Sequence, residues 1–440
     1  MTRDVDKRQG PWLFPIPMES ARDLCRFVDA SPSPWHAAAA VVERLLAKGF
    51  QRYDLRSPSW DVKPGAGFVH RNGSVIAWRL REGALRRFAV VGAHTDSPNL
   101  RLKPRAAYTS EGCLQLGVEV YGGALWNSWL DRDLGLAGVV FTDDGEAHRL
   151  RVHRPVARVS QLAIHLDRGV NTDGLKLNPQ LHLAPTWGLA RGGVDAAETL
   201  LALLARSAGV DPGAVRSHDV SLYDLTASTL GGLDDELVFA PRLDNLACTH
   251  AGLAAMESAE QGPDGTCAVL ACFDHEEVGS VSVDGADGTL LSVVLERLAE
   301  ERGLGRSAWH AAVASSLMLS ADMAHAAHPN YPDKHEPRHK PVLGGGPVLK
   351  TNYNLRYGSS APTAAALRGL AARAGVTLQD FVTRSDIGCG STIGPLCASR
   401  LGMPVADLGT PMLSMHSARE CAAAADHPKL ISLLATHLTV

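Results

Sequence analysis

The sequence has no surplus of basic residues, no C-x-x-C pair and no long apolar run, and each absence removes a class of protein. Lys and Arg total 43 against 47 Asp and Glu, a net charge of -4. That balance supplies neither the field that holds nucleic acid nor a polybasic patch for an anionic membrane. Nowhere do about 18 apolar residues follow one another, so no membrane-spanning helix is expected. The opening MTRDVDKRQGPWLFPIPMES lacks the apolar core of about 7 to 15 residues that an export signal needs. The eight cysteines have no C-x-x-C spacing, and several sit inside apolar runs. They read as reduced, buried thiols and point to a cytoplasmic protein.

What is present is length and a change of texture. At 440 residues the chain exceeds the roughly 250 to 300 residues at which single cores stop growing, so two domains are expected. Residues 20–50 have helical periodicity, with Ser20 as a cap for ARDLCRFVDA, a break at SPSP (31–34), and WHAAAAVVERLLAKGF resuming. GSVIAWRL (73–80) and RRFAVVGAHTDSP (86–98) are β-rich, the second apolar enough for a strand buried on both faces. Many short β-like runs and one helix around AAETLLALLARSAG mark a mainly β insertion at 101–232. Residues 1–100 and 233–440 form the two parts of an α/β domain, the second alternating helical stretches with short apolar runs.

Polar residues recur where those apolar runs stop. His94 and Asp96 follow FAVVGA, Glu276 and Glu277 follow TCAVLACF, Asp322 follows SSLMLSA, His416 follows PMLSM, and Asp244 stands immediately before a helix. In open α/β sheets ligands gather outside the carboxyl ends of strands, so these residues face one crevice. His94, Asp244, Glu277, Asp322 and His416 are oxygen and nitrogen donors without thiolates, a set that suits two zinc-like ions with one carboxylate to bridge them. On an extended segment Glu276 and Glu277 point to opposite sides, so one ligates while Glu276 accepts a proton from an activated water. Asp96, two residues from His94, is placed to receive its other ring N–H and fix the tautomer.

With these residues in view, the chain resembles the M18 metallo-aminopeptidases, the aspartyl aminopeptidase family. The resemblance is carried by AHTDSPNLRLKP (93–104), YGGALWNSWLDRDLGLAG (121–138), LAIHLDRGVN (162–171), RLDNL (242–246), DHEEVGS (274–280), SADMAHAAHPNY (320–331) and PMLSMHS (411–417). It implies a zinc-hydrolase (phosphorylase/hydrolase-like) α/β catalytic domain with an inserted, mainly β dimerisation domain, and dimers that build a dodecamer. It further implies one ion held by His94 and Asp322, the other by Glu277 and His416, with Asp244 shared, a metal-bridging water as nucleophile and Glu276 as general base. By the same resemblance His165 enters a neighbouring subunit's site, Tyr357 polarises the reacting carbonyl, and His325 and Lys350 meet an acidic side chain. The implied substrates are small peptides with a free N-terminal Asp or Glu. Zinc, cobalt and manganese remain open as the two divalent ions.

Other signals carry less. HPNYPDKHEPRHK, with His328, His335 and His339, has three prolines and no period, and reads as a loop. GGGPVLK lacks P-loop spacing, SDIGCGSTIGP reads as pocket wall, Asp131 and Asp133 read as salt-bridged positions, and no G-x-S-x-G elbow exists. Two competing functions stay in play: a broad or neutral-residue aminopeptidase, opposed by His325 and Lys350, and a catalytically silent oligomeric scaffold, opposed by Glu276.

Overall fold

Two nearly unbroken apolar runs set the centre of the molecule. In the computed structural model, which describes residues 18–440, Arg87–His94 and Thr266–Phe273 are buried along almost their whole length. A strand covered on both faces disfavours unpaired polar side chains, which is why the interiors of these runs, residues 88–93 and 267–273, are apolar. They lie parallel, with Thr266 opposite Arg87 and Phe273 opposite His94. Ser74–Leu80 pairs antiparallel on the outer side of Thr266–Phe273, and Leu317–Ala321 pairs parallel on the far side of Arg87–His94. Val405–Gly409, Val348–Thr351 and Gln379–Val382 extend one edge, and Gly65–Arg71 and Gln51–Arg52 the other, giving nine strands.

Side chains alternate across these strands, so Phe88 and Val90 enter one core while Ala89, Val91 and Ala93 enter another. Helices Leu290–Glu301, Arg306–Ala314 and Ile393–Leu401 cover the first side. Met18–Ala30, Pro34–Ala47, Leu243–Ser258, Ala361–Ala374 and Asp426–Thr439 cover the second. The first of these begins at Met18, so Ser20 lies within its opening turn rather than capping it. The amino-terminal stretch read above for export signals lies almost wholly outside the described residues.

Residues between 99 and 224 build a separate six-stranded sheet whose neighbouring strands all pair antiparallel. Its core takes Leu200, Leu203 and Leu204 from the helix Ala196–Ala208, which Asp195 caps by accepting the Glu198 N–H. Asp131 and Asp133 both lie beside Arg158, at 3.6 and 3.1 Å, and Asp131 occupies a left-handed turn rather than a strand. A third sheet joins Thr229–Gly231, Leu237–Ala240, Glu420–Ala423, Pro411–Leu413 and Ala324–His325. Among the described residues no helix is long and apolar enough to cross a membrane.

Candidate metal centre

Three parallel strands of the large sheet end level with one another. Phe273 pairs with His94 and Ser320 with Gly92, so the segments after Phe273 and Ala321 emerge beside His94. The His94 ring is fixed from behind: Nδ1 lies 3.0 Å from the Asp96 carbonyl oxygen and 3.3 Å from its carboxylate. A proton held there leaves Nε2 facing Asp244 at 3.5 Å, Asp322 at 3.7 Å and Glu276 at 3.8 Å. The wholly buried Asp96 also accepts the Tyr121 hydroxyl at 2.6 Å and the Glu276 and Glu277 amides, each at 3.1 Å. It therefore orients a ring and a backbone turn together.

That turn corrects one premise of the sequence reading. His275 is left-handed (φ 64°) and Glu276–Val278 is a short 3₁₀ turn, not an extended segment. Both carboxylates consequently come near His94. They still diverge, because Glu277 reaches His416 Nε2 at 3.4 Å while Glu276 stays on the His94 side.

Asp244 stands at the start of its helix: the bounds are Leu243–Ser258, but Asp244 and Asn245 have non-helical dihedrals, so regular helix runs on only after them. The break aims the carboxylate inward, with Oδ1 3.5 Å from His94 and Oδ2 3.3 Å from His416. Asn245 donates to the Ala321 carbonyl at 2.8 Å, tying this turn to the strand that carries Asp322.

His416 also departs from expectation. It follows Pro411–Leu413 of the five-stranded sheet, not a strand of the large sheet, and sits in a turn where Ser414 and His416 are left-handed. Its Nδ1 contacts the Gly123 carbonyl at 3.1 Å, again leaving Nε2 for the cluster. At Gly122 (φ 69°) a Cβ would lie 3.0 Å from the Glu277 Cβ, and at Gly123 one would lie 3.2 Å from the His416 ring. Side chains at YGG would therefore press on both residues, a close approach that requires glycine.

Two of the three donor groups among the described residues share Asp244, one with His94 and Asp322 and one with Glu277 and His416, and the third joins His94 with Glu276 and Glu277. Separations of 3.3 to 3.7 Å within the two that share Asp244 are near the edge of about 3.3 Å expected for a tetrahedron of donors about 2.0 Å from zinc. Asp244 Oδ1 and Glu277 Oε1 are buried with no hydrogen-bond partner among the described residues, a costly condition unless something else pairs with them. The donor chemistry and the orphaned oxygens thus fit a pair of divalent ions.

Electrostatics leads to the same place. Burial pushes the Glu276 carboxyl up to about 8, with Asp322 adding to it, and burial together with Asp244 raises Glu277 well above the usual range. Burial opposes charge on His416, yet Asp244 prevails and lifts it to about 9, while Glu276 and the surrounding aspartates raise His94. Without cations, protons must neutralise this crowd.

The cluster opens into a cavity of about 480 Å³ reached by His325, Lys350 and Tyr357. Lys350 is 2 % exposed, and its ammonium donates to the Asp322 carboxylate at 3.2 Å and to the Asp322 and Met323 carbonyls. The Tyr357 hydroxyl is kept protonated by burial and by Cys389. His325 is open to the cavity, and its pKa is lowered by the protein packed around it and by Lys350. Gly390 and Thr392 of SDIGCGSTIGP line the cavity. His165 is not among the lining residues; it is exposed between Ala157 and Val170. No metal-type group among the described residues includes His328, His335 or His339.

Glu420 was missed by sequence reasoning. Only 2 % exposed, it accepts the amides of both Asp244 and His416. Its available signal was an acidic residue heading the apolar run CAAAA.

Strand ends of the large sheet together with neighbouring turns deliver two histidine–carboxylate groups around one shared aspartate, the arrangement of an α/β metalloenzyme. Its family follows from comparison. The chain belongs to the M18 metallo-aminopeptidases: residues 27–437 match the family described as Aminopeptidase I zinc metalloprotease (M18). It is 47% identical over 415 residues to the "Probable M18 family aminopeptidase 2" of Streptomyces avermitilis, covering 93% of this chain and 95% of that one. Among solved structures, the cryo-EM structure of the Ape4 and Nbr1 complex superposes with a TM-score of 0.90 at 38% identity, over 95% of this chain and 85% of that one. The mApe1 dodecamer of S. cerevisiae gives 0.82 at 27%, over 95% and 96%. The chain is therefore a peptide hydrolase that acts at amino termini.

Proposed function

We propose that this aminopeptidase works with two divalent ions, removes single N-terminal residues with a preference for Asp and Glu, and uses Glu276 as its general base. The observation that carries the reading is the position of Glu276. Its carboxylate accepts no hydrogen bond among the described residues, lies 3.8 Å from His94, and faces the cavity. A side chain held there by a backbone bond to Asp96, yet free of structural duty, is available for chemistry.

When bound, the ions polarise the scissile carbonyl and acidify the attacking water. His94, Asp322, Glu277 and His416 would hold them, with Asp244 between. Glu276 takes the proton from the attacking water and passes it to the amine that leaves as the C–N bond breaks. The protonated Tyr357 hydroxyl donates to the carbonyl oxygen as charge develops on it. His165 completes the site from a neighbouring subunit; its exposed loop, with Leu162, Ile164 and Leu166, suits contact with a second copy. By the same reading the six-stranded unit is the dimerisation domain, the assembly is a dodecamer built from dimers, zinc is the resident metal, and the enzyme acts on small peptides in the cytoplasm.

For specificity, Lys350 gives the cavity a positive field and His325 offers a ring N–H to an acidic side chain. A broader specificity is the second reading, favoured by the commitment of Lys350 to Asp322 and Met323. Hydrolysis of matched peptides beginning with Asp, Glu, Leu and Ala distinguishes them. An Asp or Glu advantage of at least about tenfold in kcat/KM, roughly the discrimination worth 1.4 kcal/mol, supports the first, and equal rates overturn it.

A further inference from the structure

Glu420 heads the strand Glu420–Ala423, where Ala240 pairs with it on one side and Leu413 pairs with Cys421 on the other. Each neighbouring strand runs on into a candidate ligand, Asp244 four residues past Ala240 and His416 three residues past Leu413. Both return an amide to the middle strand: the His416 N–H to Glu420 Oε1 at 2.7 Å, and the Asp244 N–H to Oε2 at 3.1 Å. No basic side chain among the described residues forms an ion pair with this carboxylate. An unpaired buried carboxylate is expensive to keep when a neutral residue would pack as well.

We propose that Glu420 is a positioning residue that fixes the spacing between Asp244 and His416, and so sets the affinity of the ion position those two share with Glu277. With both oxygens taken by amides it does not ligate; it acts through the backbone of two ligands drawn from opposite sides of one strand. The inference rests on the two-ion reading above. Its physical basis is that partners behind first ligands commonly control metal affinity by about 10- to 100-fold.

The test is titration of the chelator-stripped chain with Co²⁺, followed by visible absorption, for wild type, Glu420→Gln, His416→Ala and the double variant. Gln offers one carbonyl oxygen, so one of the two amides loses its acceptor. We expect Glu420→Gln to bind the second equivalent about 10- to 100-fold more weakly, and the first, whose ligands meet Glu420 only through Asp244, with a change of less than about threefold. In the His416→Ala background, where that position is already lost, adding Glu420→Gln should change the remaining equivalent by less than about threefold. A second equivalent bound with wild-type affinity by Glu420→Gln overturns the proposal, as does a further large loss in the double variant, the mark of a general folding defect. Should Glu420→Gln not fold, Glu420→Asp, one methylene shorter and still charged, carries the same expectation and the same refutation. Wild type that takes up fewer than two equivalents overturns the two-ion reading, and this inference with it.

Discussion

His94 and Asp322 stand at the ends of strands buried in the nine-stranded sheet, whereas Glu277 stands on a turn that leaves it and His416 on a turn that leaves the five-stranded sheet. The His94 side chain is 1 % exposed and that of His416 is 28 %. Sheet register brings the first pair side by side, and Asp96 and Lys350 then hold the His94 ring and the Asp322 carboxylate. The second pair depends on contacts from elsewhere: Asp96 holding the Glu277 amide, Gly123 from the six-stranded unit holding the His416 ring, and Glu420 holding its backbone. A rigid scaffold supplies one half of the centre, and assembled turns supply the other.

The largest expected effect comes from removing the chemistry while leaving both halves intact. Glu276→Gln should lower kcat by about 10²- to 10⁴-fold, the usual contribution of a general base, while metal content by elemental analysis stays near wild type. Wild-type turnover would exclude Glu276 as the base. Next is the residue common to both halves: Asp244→Ala should lose both ions, whereas His416→Ala should lose one. Loss of a single ion from both variants would separate Asp244 from the bridge.

The halves should also differ in kinetics. On treatment with chelator, metal release should be biphasic, the turn-built position emptying at least about tenfold faster than the strand-built one, as expected where the histidine is the more exposed, 28 % against 1 %. One uniform phase would erase the distinction.

Proton competition gives a smaller, graded effect. In the metal-free chain Asp244, acting against burial, lifts His416 from its ordinary 6.5 to about 9. A pKa raised in the folded state stabilises the metal-free fold fully below about pH 6.5, and that contribution is lost as pH rises through about 9. An entering ion must displace the same proton. Uptake at the His416 position should therefore weaken, by at most about tenfold per unit, as pH falls below about 9. Affinity that is flat between pH 6 and 9 would contradict this. The smallest change is Tyr121→Phe, which deletes the hydroxyl bonded to Asp96 and should cost about 1 to 3 kcal/mol of stability, read by thermal unfolding.

The same contrast explains what could be read in the sequence. His94, Asp322 and the Glu276–Glu277 pair were legible because buried strands are mostly apolar, so polar residues clustered just past their ends mark the crevice. The helices at 18–47 were legible from their period, and the mainly β character of the middle of the chain from its short alternating runs. Asp244 was recognisable as a polar residue beside a helix, but the break at Asp244 and Asn245 has no signature in RLDNL. The turn at His275 defeated the assumption of an extended chain, because a left-handed residue there is set by tertiary contacts such as those of Asp96. Glu420 was easy to overlook because its partners are backbone amides, and an acidic residue heading CAAAA was the one trace of it in the sequence. His165, singled out by resemblance alone, is exposed and is not among the described residues that line the cavity.

The central claim is that strand ends and turns converge on two divalent ions with Asp244 between them. Metal analysis of the stripped and reconstituted chain, with peptide hydrolysis measured on the same samples, tests it most directly. The account predicts two equivalents per chain, with activity lost on stripping and restored on reconstitution. Full activity in a sample proven free of metal would contradict it.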